Sequence, residues 1–314
     1  MEHRRLGGSD LEVSVVGLGC NNFGMKIDLA ASQAVIDAAL EAGIDFFDTA
    51  DLYGGGKSEE FIGEALGKRR GRVRIGTKFG GMRKAAGKGE FGTRAYVMEC
   101  VEASLKRLRT DYIDLYQMHY PDPGTPIEET LGALDELVRQ GKVRQIGHSN
   151  FSGAMIAAAD VASSTRRLAR FVSAQNEWSL LQRKAETDAI PACEKHRLGQ
   201  LPYFPLASGM LTGKYRRGEK FAPGTRFAAL GDYFSSIASD ANFAKVEALE
   251  RVASKHGHTL LELAMSWLAA QPCVASVIAG ATSPEQVRAN AASVSWKLKP
   301  AELAEIDHAL SPAG

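Results

Sequence analysis

Four side chains capable of acid–base chemistry follow three consecutive strand-like segments of the sequence. Asp48 and Tyr53 lie at and just beyond the end of one segment, Lys78 ends the next, and His119 ends the third. Each alone has an ordinary structural explanation, as a turn cap, a half-buried wall, a solvated amine or a backbone-bonded imidazole. Their joint placement at neighbouring strand ends predicts one shared site.

The four residue types together suit the reduction of a carbonyl group. Hydride addition leaves an alkoxide, which needs a proton donor at its oxygen. The pKa of tyrosine, about 10, is high for this task, and the ammonium of Lys78 is expected to lower it at Tyr53. A carboxylate at Asp48 can balance the buried lysine charge. A neutral imidazole at His119 can donate to the carbonyl oxygen.

The hydrophobic pattern predicts a scaffold that brings these strand ends together. We predict strands at 15–19, 45–49, 73–78, 113–119, 143–147, 171–175, 201–204 and 274–279. Helices are predicted at 30–42, 58–66 with Ser58 as N-cap, 94–108, 127–140, 155–161, 186–196, 243–255, 260–269 and 284–292. Eight strands separated by helices favour a single-domain α/β fold over residues 1–314, a (β/α)8 TIM barrel, with a doubly wound sheet as the alternative.

In such a barrel the reactive side chains lie at the C-terminal ends of the strands, where long loops can cover them. Two long segments lack a clear period, 80–93 with its five glycines and 207–240. Loops of this length are uncommon in a compact domain and are often lids. We therefore expect both segments to border the site.

Composition and charge exclude several other classes of protein. The chain is 45% hydrophobic and 24% charged with a net charge of +1, which gives no indication of a nucleic-acid or membrane partner. No apolar run reaches the roughly 18 residues of a membrane span, and the polar N-terminus lacks a signal segment. The four scattered cysteines predict neither disulfides nor a metal site. A cytoplasmic location is the resulting expectation.

Three runs of residues carry a family resemblance. Residues 47–54, 77–79 and 117–122 resemble the signatures of the aldo-keto reductase family, in order and in position, within a likeness that extends from Arg5 to Asn290. The resemblance implies a catalytic set of Asp48, Tyr53, Lys78 and His119, with tyrosine as the general acid. It also implies reduction of an aldehyde or ketone by NADPH.

Further matches imply a cofactor site. Ser149, Asn150 and Gln175 correspond to residues that bind the nicotinamide carboxamide, and the segment from Tyr203 resembles one that stacks on the ring. The implied cofactor-binding set is Cys20, Asn21, Asp48, Ser149, Asn150, Gln175, Tyr203, Phe204, Pro205, Leu206, Ala207, Ser208, Lys214, Arg226, Gly280, Thr282, Gln286 and Asn290. Lys214 and Arg226 are the expected partners of a 2′-phosphate, since positions 280 and 286 lack the basic residues of some relatives.

One part of this site has an ordinary structural alternative. Residues 283–286 also fit a plain helix start, with Ser283 as N-cap and Gln286 completing a capping box. Departures from the family pattern at Tyr120, Trp178, Cys20 and Asn21 are expected near the substrate pocket. Because of these departures, the sequence does not identify the natural substrate.

Two other functions remain compatible with these residues. One is an NADP-binding module that senses redox state without useful turnover. The other is a barrel lyase or isomerase in which Lys78 forms a Schiff base. Loss of reduced-nicotinamide absorbance with an aldehyde, or borohydride trapping on Lys78, would separate them from a reductase.

Overall fold

Eight parallel strands form one curved sheet in the computed structural model, which describes residues 1–219 and 237–311. An antiparallel hairpin of β1 (His3–Arg5) and β2 (Glu12–Ser14) precedes them. The eight strands are β3 (Val16–Gly19), β4 (Phe46–Asp48), β5 (Arg74–Phe79), β6 (Ile113–Met118), β7 (Val143–Ser149), β8 (Phe171–Gln175), β9 (Gly199–Gln200) and β10 (Val277–Gly280). They follow one another around the sheet in chain order, with β10 beside β3.

The two edges of the sheet meet, which closes the barrel. Gln200 on β9 forms a parallel bridge with Val274 just before β10. The N–H of Ala275 donates to the carbonyl of Gln200 at 3.0 Å, and that of Ile278 donates to Pro202 at 3.0 Å. The predicted (β/α)8 fold is therefore confirmed.

Helices cover the outside of the sheet. They are α1 (Leu29–Glu41), α2 (Lys57–Leu66), α3 (Gly81–Ala85), α4 (Arg94–Leu108), α5 (Ile127–Arg139), α6 (Gly153–Arg166), α7 (Ala189–His196), α8 (Asp240–Lys255), α9 (Leu260–Ala269), α10 (Pro284–Ala292) and α11 (Pro300–Leu310). Local sequence explains several of their starts. At α9, for example, Thr259 and Glu262 form a reciprocal capping box. None of the described helices is long and apolar enough to cross a membrane.

The hairpin closes the end of the barrel opposite the predicted site. Leu6, Leu11 and Val13 from the hairpin region pack with Phe46 and Leu115 from the strands in a small apolar cluster. This cluster is separate from the larger core between the sheet and its helices. Burial of these side chains leaves the other end, where the strands finish, for polar residues.

Some sequence predictions differ from the structure. The seventh strand is Gly199–Gln200 rather than 201–204, and beyond it the N–H groups of Leu201 and Tyr203 still donate to the carbonyls of Ala174 and Asn176. Ser58 is not an N-cap, since Gly56 holds that position with a φ of 96°. The Ser58 hydroxyl instead donates to the carbonyl of Cys20 at 2.8 Å. The hairpin, α3 and α11 were not predicted.

The two long segments contain more structure than their sequences indicate. Residues 80–93 include α3 and the buried side chain of Phe91. The start of the second segment forms a helical turn at Ala207–Thr212, while 220–236 lie outside the described residues. A role of either segment as a lid stays a prediction.

Candidate active site

A buried ion pair lies at the C-terminal end of the barrel. Lys78 on β5 is fully buried and donates to Asp48 Oδ1 at 2.7 Å and to the carbonyl of Thr49 at 2.8 Å. Gln175 on β8 donates its side-chain amide to the same Asp48 oxygen at 2.9 Å. Such a pair is held only where further hydrogen bonds satisfy both ions. Here the barrel interior supplies them from three strands.

Tyr53 is positioned by a glycine-rich turn directly after β4. The turn Tyr53–Gly56 has Gly54 and Gly55 at φ values of 61° and 66°, a region that favours glycine. A Cβ on Gly54 would lie 2.9 Å from the carbonyl oxygen of Phe23. The turn therefore depends on these glycines, and it brings the Tyr53 ring into the cleft described below.

The Tyr53 ring lies between a cation and an imidazole. The Lys78 Nζ atom is 5.2 Å from the ring centroid, and the His119 ring is 5.8 Å away in an edge-to-face arrangement. The enclosure of the phenol and the charge of Asp48 raise the pKa of Tyr53 well above its ordinary value. This direction differs from the lowering expected from Lys78, because burial of the ring and the charge of Asp48 outweigh the effect of the ammonium. The phenol is protonated at neutral pH.

His119 is neutral, as predicted. Burial and the nearby Lys78 charge hold the pKa of its imidazole well below the usual range. The Tyr120 ring stacks on it at 4.5 Å. The Asn150 side chain donates to the His119 carbonyl at 3.0 Å, which ties the end of β6 to the loop after β7.

These side chains line a cleft of about 880 Å³ at the ends of the strands. Asp48, Tyr53 and His119 line it, while Lys78 lies behind Asp48. Other lining residues from the predicted cofactor set are Cys20, Asn21, Ser149, Asn150, Gln175, Tyr203, Phe204, Pro205, Leu206, Ser208, Lys214, Gly280, Thr282, Gln286 and Asn290. Ala207 is buried beside the cleft without lining it, and Arg226 lies outside the described residues.

Further cleft residues were missed by the sequence analysis. They are Asn22, Lys26, Gly209, Thr212, Leu261 and Ala289, together with Gly19, Ile278 and Ala279. Leu261 and Ala289 are ordinary apolar positions on helical faces, so no local signal marks them. Asn22 and Lys26 follow β3 in a loop that the barrel topology alone would have placed at this end.

The loops that wall the cleft are held in an uncommon backbone conformation. Asn150, Phe204, Ala207 and Ser208 have φ values of 63°, 53°, 44° and 58°. Non-glycine residues with positive φ are rare and cluster at functional sites. Side-chain hydrogen bonds support this arrangement, because the Tyr203 hydroxyl donates to Asn150 Oδ1 at 2.9 Å.

Features of the cleft fit an anionic cofactor. The Ser208 hydroxyl is buried without a hydrogen-bond partner in the part of the chain that the structure describes. Buried polar atoms without partners are uncommon, so an absent ligand is one natural explanation. Lys214 lies close to Gly209, where a Cβ would come within 3.3 Å of its Nζ atom. Lys214 forms no ion pair within residues 1–219 and 237–311.

The start of α10 borders the same cleft. Ser283 is its N-cap and accepts from the Gln286 N–H at 3.4 Å, as predicted. The reciprocal half of the predicted capping box is wrong, because Gln286 Oε1 accepts from the backbone N–H of Thr282 at 2.9 Å instead. Gln286 therefore fixes the loop that leads into the helix.

Trp178 does not line the cleft, although its backbone N–H donates to the carbonyl of the lining residue Tyr203 at 3.4 Å. Its ring is buried against Trp267 at 5.6 Å, and its indole N–H donates to Glu186 at 2.9 Å. The Trp178 side chain therefore packs against the helices outside the barrel. Tyr120, Cys20 and Asn21 do line the cleft.

Comparison with known proteins agrees with this fold and site. Residues 15–311 match the sequence model of the aldo/keto reductase family. A probable aldo-keto reductase 1 of Glycine max is 35% identical over 98% of this chain and 88% of its own length. The aldo-keto reductase YhdN of Bacillus subtilis is 33% identical over 98% and 93%. The chain belongs to the aldo/keto reductase family, and this membership supports a general oxidoreductase role.

Similarity also extends to a protein that is named as a channel subunit. A probable voltage-gated potassium channel subunit beta of Arabidopsis thaliana is 36% identical over 94% of this chain and 91% of its own length.

Proposed function

We propose that this protein reduces aldehydes or ketones to alcohols with NADPH, and that Tyr53 is the general acid. The observation that supports this proposal most is the meeting of Tyr53, His119 and the Asp48–Lys78 pair at one cleft. An ordinary surface pocket has no need of a buried ion pair behind a tyrosine. The assignment extends the family's general oxidoreductase role to one reaction.

In this proposal Ser149, Asn150 and Gln175 hold the nicotinamide end, and the segment from Tyr203 to Ser208 adjoins the ring and the pyrophosphate. We assign Lys214, Gln286 and Asn290, which also line the cleft, to the adenosine half of the cofactor. Bound NADPH supplies the hydride that the carbonyl carbon receives. The orphaned hydroxyl of Ser208 is a donor suited to a phosphate oxygen.

Two residues of this chain bind and protonate the carbonyl oxygen of the substrate. Neutral His119 donates a hydrogen bond to it and orients the substrate. The phenol of Tyr53 then gives its proton to the same oxygen as negative charge develops there. Since an alkoxide is a stronger base than a phenolate, this transfer is favourable even with a raised pKa. Lys78 stabilises the tyrosinate that remains, and water then reprotonates it.

A Schiff-base function for Lys78 is not supported by its surroundings. Its Nζ atom donates to Asp48 and to the carbonyl of Thr49 in a fully buried position. An ammonium held in this way has no lone pair for attack on a carbonyl. The residue therefore suits electrostatic stabilisation rather than nucleophilic catalysis.

A redox-sensing module is the second candidate. We keep it because one similar plant protein is named as a probable voltage-gated potassium channel subunit beta rather than as an enzyme. A pure cofactor binder has no evident need of His119 or of the Tyr53 turn, so we place reduction first. A single domain over residues 1–314 and a cytoplasmic location stay predictions.

The deciding experiment mixes the purified protein with NADPH and a panel of reactive aldehydes and ketones. We expect loss of reduced-nicotinamide absorbance with at least one class of carbonyl compound and formation of the corresponding alcohol. The matched control is Tyr53→Phe, which keeps the cleft and removes the proton donor. Tight NADPH binding without oxidation by any compound would favour the sensing module instead.

A further inference from the structure

Lys84 is an exposed lysine beside the cleft that the proposed reaction does not use. It belongs to α3, and its Nζ atom lies 5.2 Å from the centroid of the Tyr120 ring, which lines the cleft. Lys84 forms no ion pair with any residue in the described ranges 1–219 and 237–311. The segment 80–93 contains three basic residues and one acidic residue, Glu90. It therefore places unbalanced positive charge next to the cleft.

The C-terminal end of this segment is fixed against the barrel. The Phe91 side chain is buried, and the N–H of Gly92 donates to Asp122 Oδ2 at 2.8 Å. The Thr130 hydroxyl donates to the carbonyl of Gly92 at 2.8 Å. Because a buried ring and two hydrogen bonds hold the segment, Lys84 has a defined place at the rim of the cleft.

The topology of the barrel puts Lys84 on the substrate side of the proposed site. Apart from Asp48, the residues assigned to the cofactor follow β3 or lie on and after β7, β8, β9 and β10. The loops after β5 and β6, which carry Lys84 and Tyr120, contain none of them. In the proposed reaction, a substrate whose carbonyl oxygen meets Tyr53 and His119 therefore extends towards these two loops.

Tyr120 connects this lysine with the proposed hydrogen-bond donor. Its ring stacks on the His119 ring, with the centroids 4.5 Å apart and an angle of 12° between the planes. The ammonium of Lys84 is close to the same Tyr120 ring. One aromatic ring thus spans the space between His119 and Lys84, so a small substrate can reach both.

The charges that line the cleft favour a negatively charged substrate. Asp48 is the only carboxylate among the described residues that line it, and Lys78 neutralises this carboxylate at 2.7 Å. Lys26, in the loop after β3, and Lys214 also line the cleft. An anion that enters meets no unpaired carboxylate on the described lining residues, and a positive potential of this kind raises its local concentration.

We propose that the substrate is an aldehyde or ketone that carries a carboxylate, and that Lys84 is the specificity-determining residue that binds this carboxylate. The inference rests on the proposed reduction at Tyr53 and His119. An ammonium donates charge-assisted hydrogen bonds to carboxylate oxygens. One ammonium balances one negative charge, which favours a carboxylate over a phosphate monoester with nearly two.

Two probes that differ only in charge test this assignment. 4-Carboxybenzaldehyde carries a carboxylate opposite its aldehyde, and its methyl ester has nearly the same shape without the charge. For the wild type with NADPH we expect kcat/KM to be about tenfold higher for the carboxylate, chiefly through a lower KM. This factor lies between the contribution of an exposed ion pair and that of a buried charge-assisted hydrogen bond.

Substitutions at Lys84 should change the ratio of the two kcat/KM values. Lys84→Met keeps the apolar stem and removes the charge, so the ratio should fall to about one. Lys84→Glu should reverse the preference. Lys88→Met is the matched control, because Lys88 is exposed in the same segment beyond α3, and it should keep the wild-type ratio. Added salt should lower the ratio for the wild type and leave that of Lys84→Met unchanged.

Equilibrium binding of the alcohol product gives a readout without turnover. Protein saturated with NADPH cannot reduce an alcohol, so titration calorimetry measures the Kd of 4-(hydroxymethyl)benzoate and that of its methyl ester. We expect about tenfold tighter binding of the benzoate by the wild type and by Lys88→Met. Lys84→Met should bind the two compounds equally.

Failure of this inference is distinguishable from failure of the proposed function. Reduction of the ester shows a reductase whatever the charge preference is. A ratio near one in the wild type, or a wild-type ratio kept in Lys84→Met, would therefore overturn only the role of Lys84. If neither probe is reduced, the proposed reaction fails, and equal Kd values for the two alcohols in the wild type would overturn the carboxylate site as well.

Discussion

Gln175 donates its side-chain amide to Asp48 Oδ1 at 2.9 Å, although 127 positions separate the two residues in the sequence. The same oxygen accepts from Lys78 at 2.7 Å. A strand assigned to cofactor binding is thus joined directly to the ion pair behind Tyr53. Substitution of Gln175 or Asp48 should therefore change both the stability of the fold and the activity.

Removal of the cation should be costly for the fold. Lys78→Met leaves the Asp48 carboxylate buried with the Gln175 amide but no counter-ion, which typically costs about 3–5 kcal/mol. Urea unfolding at pH 7 measures the change. The double variant Lys78→Met with Asp48→Asn removes both charges and should recover most of the lost stability while remaining inactive. A single variant within about 1 kcal/mol of wild type would contradict a desolvated pair.

Loss of the proton donor should affect the rate and little else. Tyr53→Phe keeps the ring contact with His119 and should lower kcat by roughly 10²–10⁴-fold, the range typical of general acid catalysis. The Kd for NADPH, measured by fluorescence titration, should remain within a few-fold of wild type. Aldehyde reduction at a rate near that of wild type would show that another group donates the proton.

The barrel was predictable because its signals are local and repeated. Strands such as 113–119 and helices such as 94–108 show their period within a few residues, and eight alternations leave few topologies. The seventh strand was misplaced because pairing beyond Gln200 is reduced to separate hydrogen bonds, such as that from Tyr203 to Asn176, which the apolar pattern does not indicate. The hairpin at the N-terminus was missed because its three-residue strands are too short to show a period.

The sequence could predict which residues form the site, but it predicted their pKa values less well. Strand ends bring Asp48, Lys78 and His119 together, which follows from the fold. The direction of the pKa of Tyr53 depends on how far Asp48 offsets the Lys78 charge and on enclosure of the ring. Both are properties of three-dimensional packing. The position of Lys84 beside Tyr120 and the outward position of Trp178 likewise depend on loop geometry that no sequence period encodes.

A second histidine should make the fold sensitive to acid. Both ring nitrogens of His148 are buried without hydrogen-bond partners in the described part of the chain, between Phe151 and Phe171. Burial lowers its pKa to about 3, below the ordinary 6.5 of the unfolded chain. As pH falls from 6.5, the unfolded chain binds a proton that the folded protein does not. The contribution of neutral His148 to the stability of the fold is thus complete above pH 6.5 and is lost progressively towards pH 3.

His148→Phe removes this titration and keeps an aromatic ring in the same packing. Between pH 6 and 4 the free energy of unfolding should fall less steeply in the variant, by about 1.4 kcal/mol per pH unit. Urea titrations at several pH values measure the slope. The matched control is His308→Phe, at an exposed position on α11, which should keep the wild-type slope. Equal slopes for all three proteins would mean that His148 is protonated in the folded state.

The preference for NADPH over NADH should depend on Lys214. Its ammonium lines the cleft with Gln286 and Asn290 and pairs with no described carboxylate. A charge-assisted hydrogen bond to a 2′-phosphate contributes about 1.5–3 kcal/mol, and about 1.4 kcal/mol corresponds to tenfold in affinity. Lys214→Met should therefore weaken NADPH binding by roughly 10- to 100-fold and leave NADH binding unchanged. Adding Arg226→Ala tests the second predicted partner, which should remove most of the remaining preference.

The control for this last prediction lies in the same segment. Arg217 is exposed and paired with Glu247 at 3.1 Å, outside the cleft. Because an exposed pair of this kind contributes only about 0–1 kcal/mol, Arg217→Met should leave both cofactor affinities unchanged. Isothermal titration of each cofactor against wild type and the three variants gives the required Kd values. A wild type that binds NADH as tightly as NADPH, or a double variant that keeps the full preference, would show that Lys214 is a solvated surface lysine.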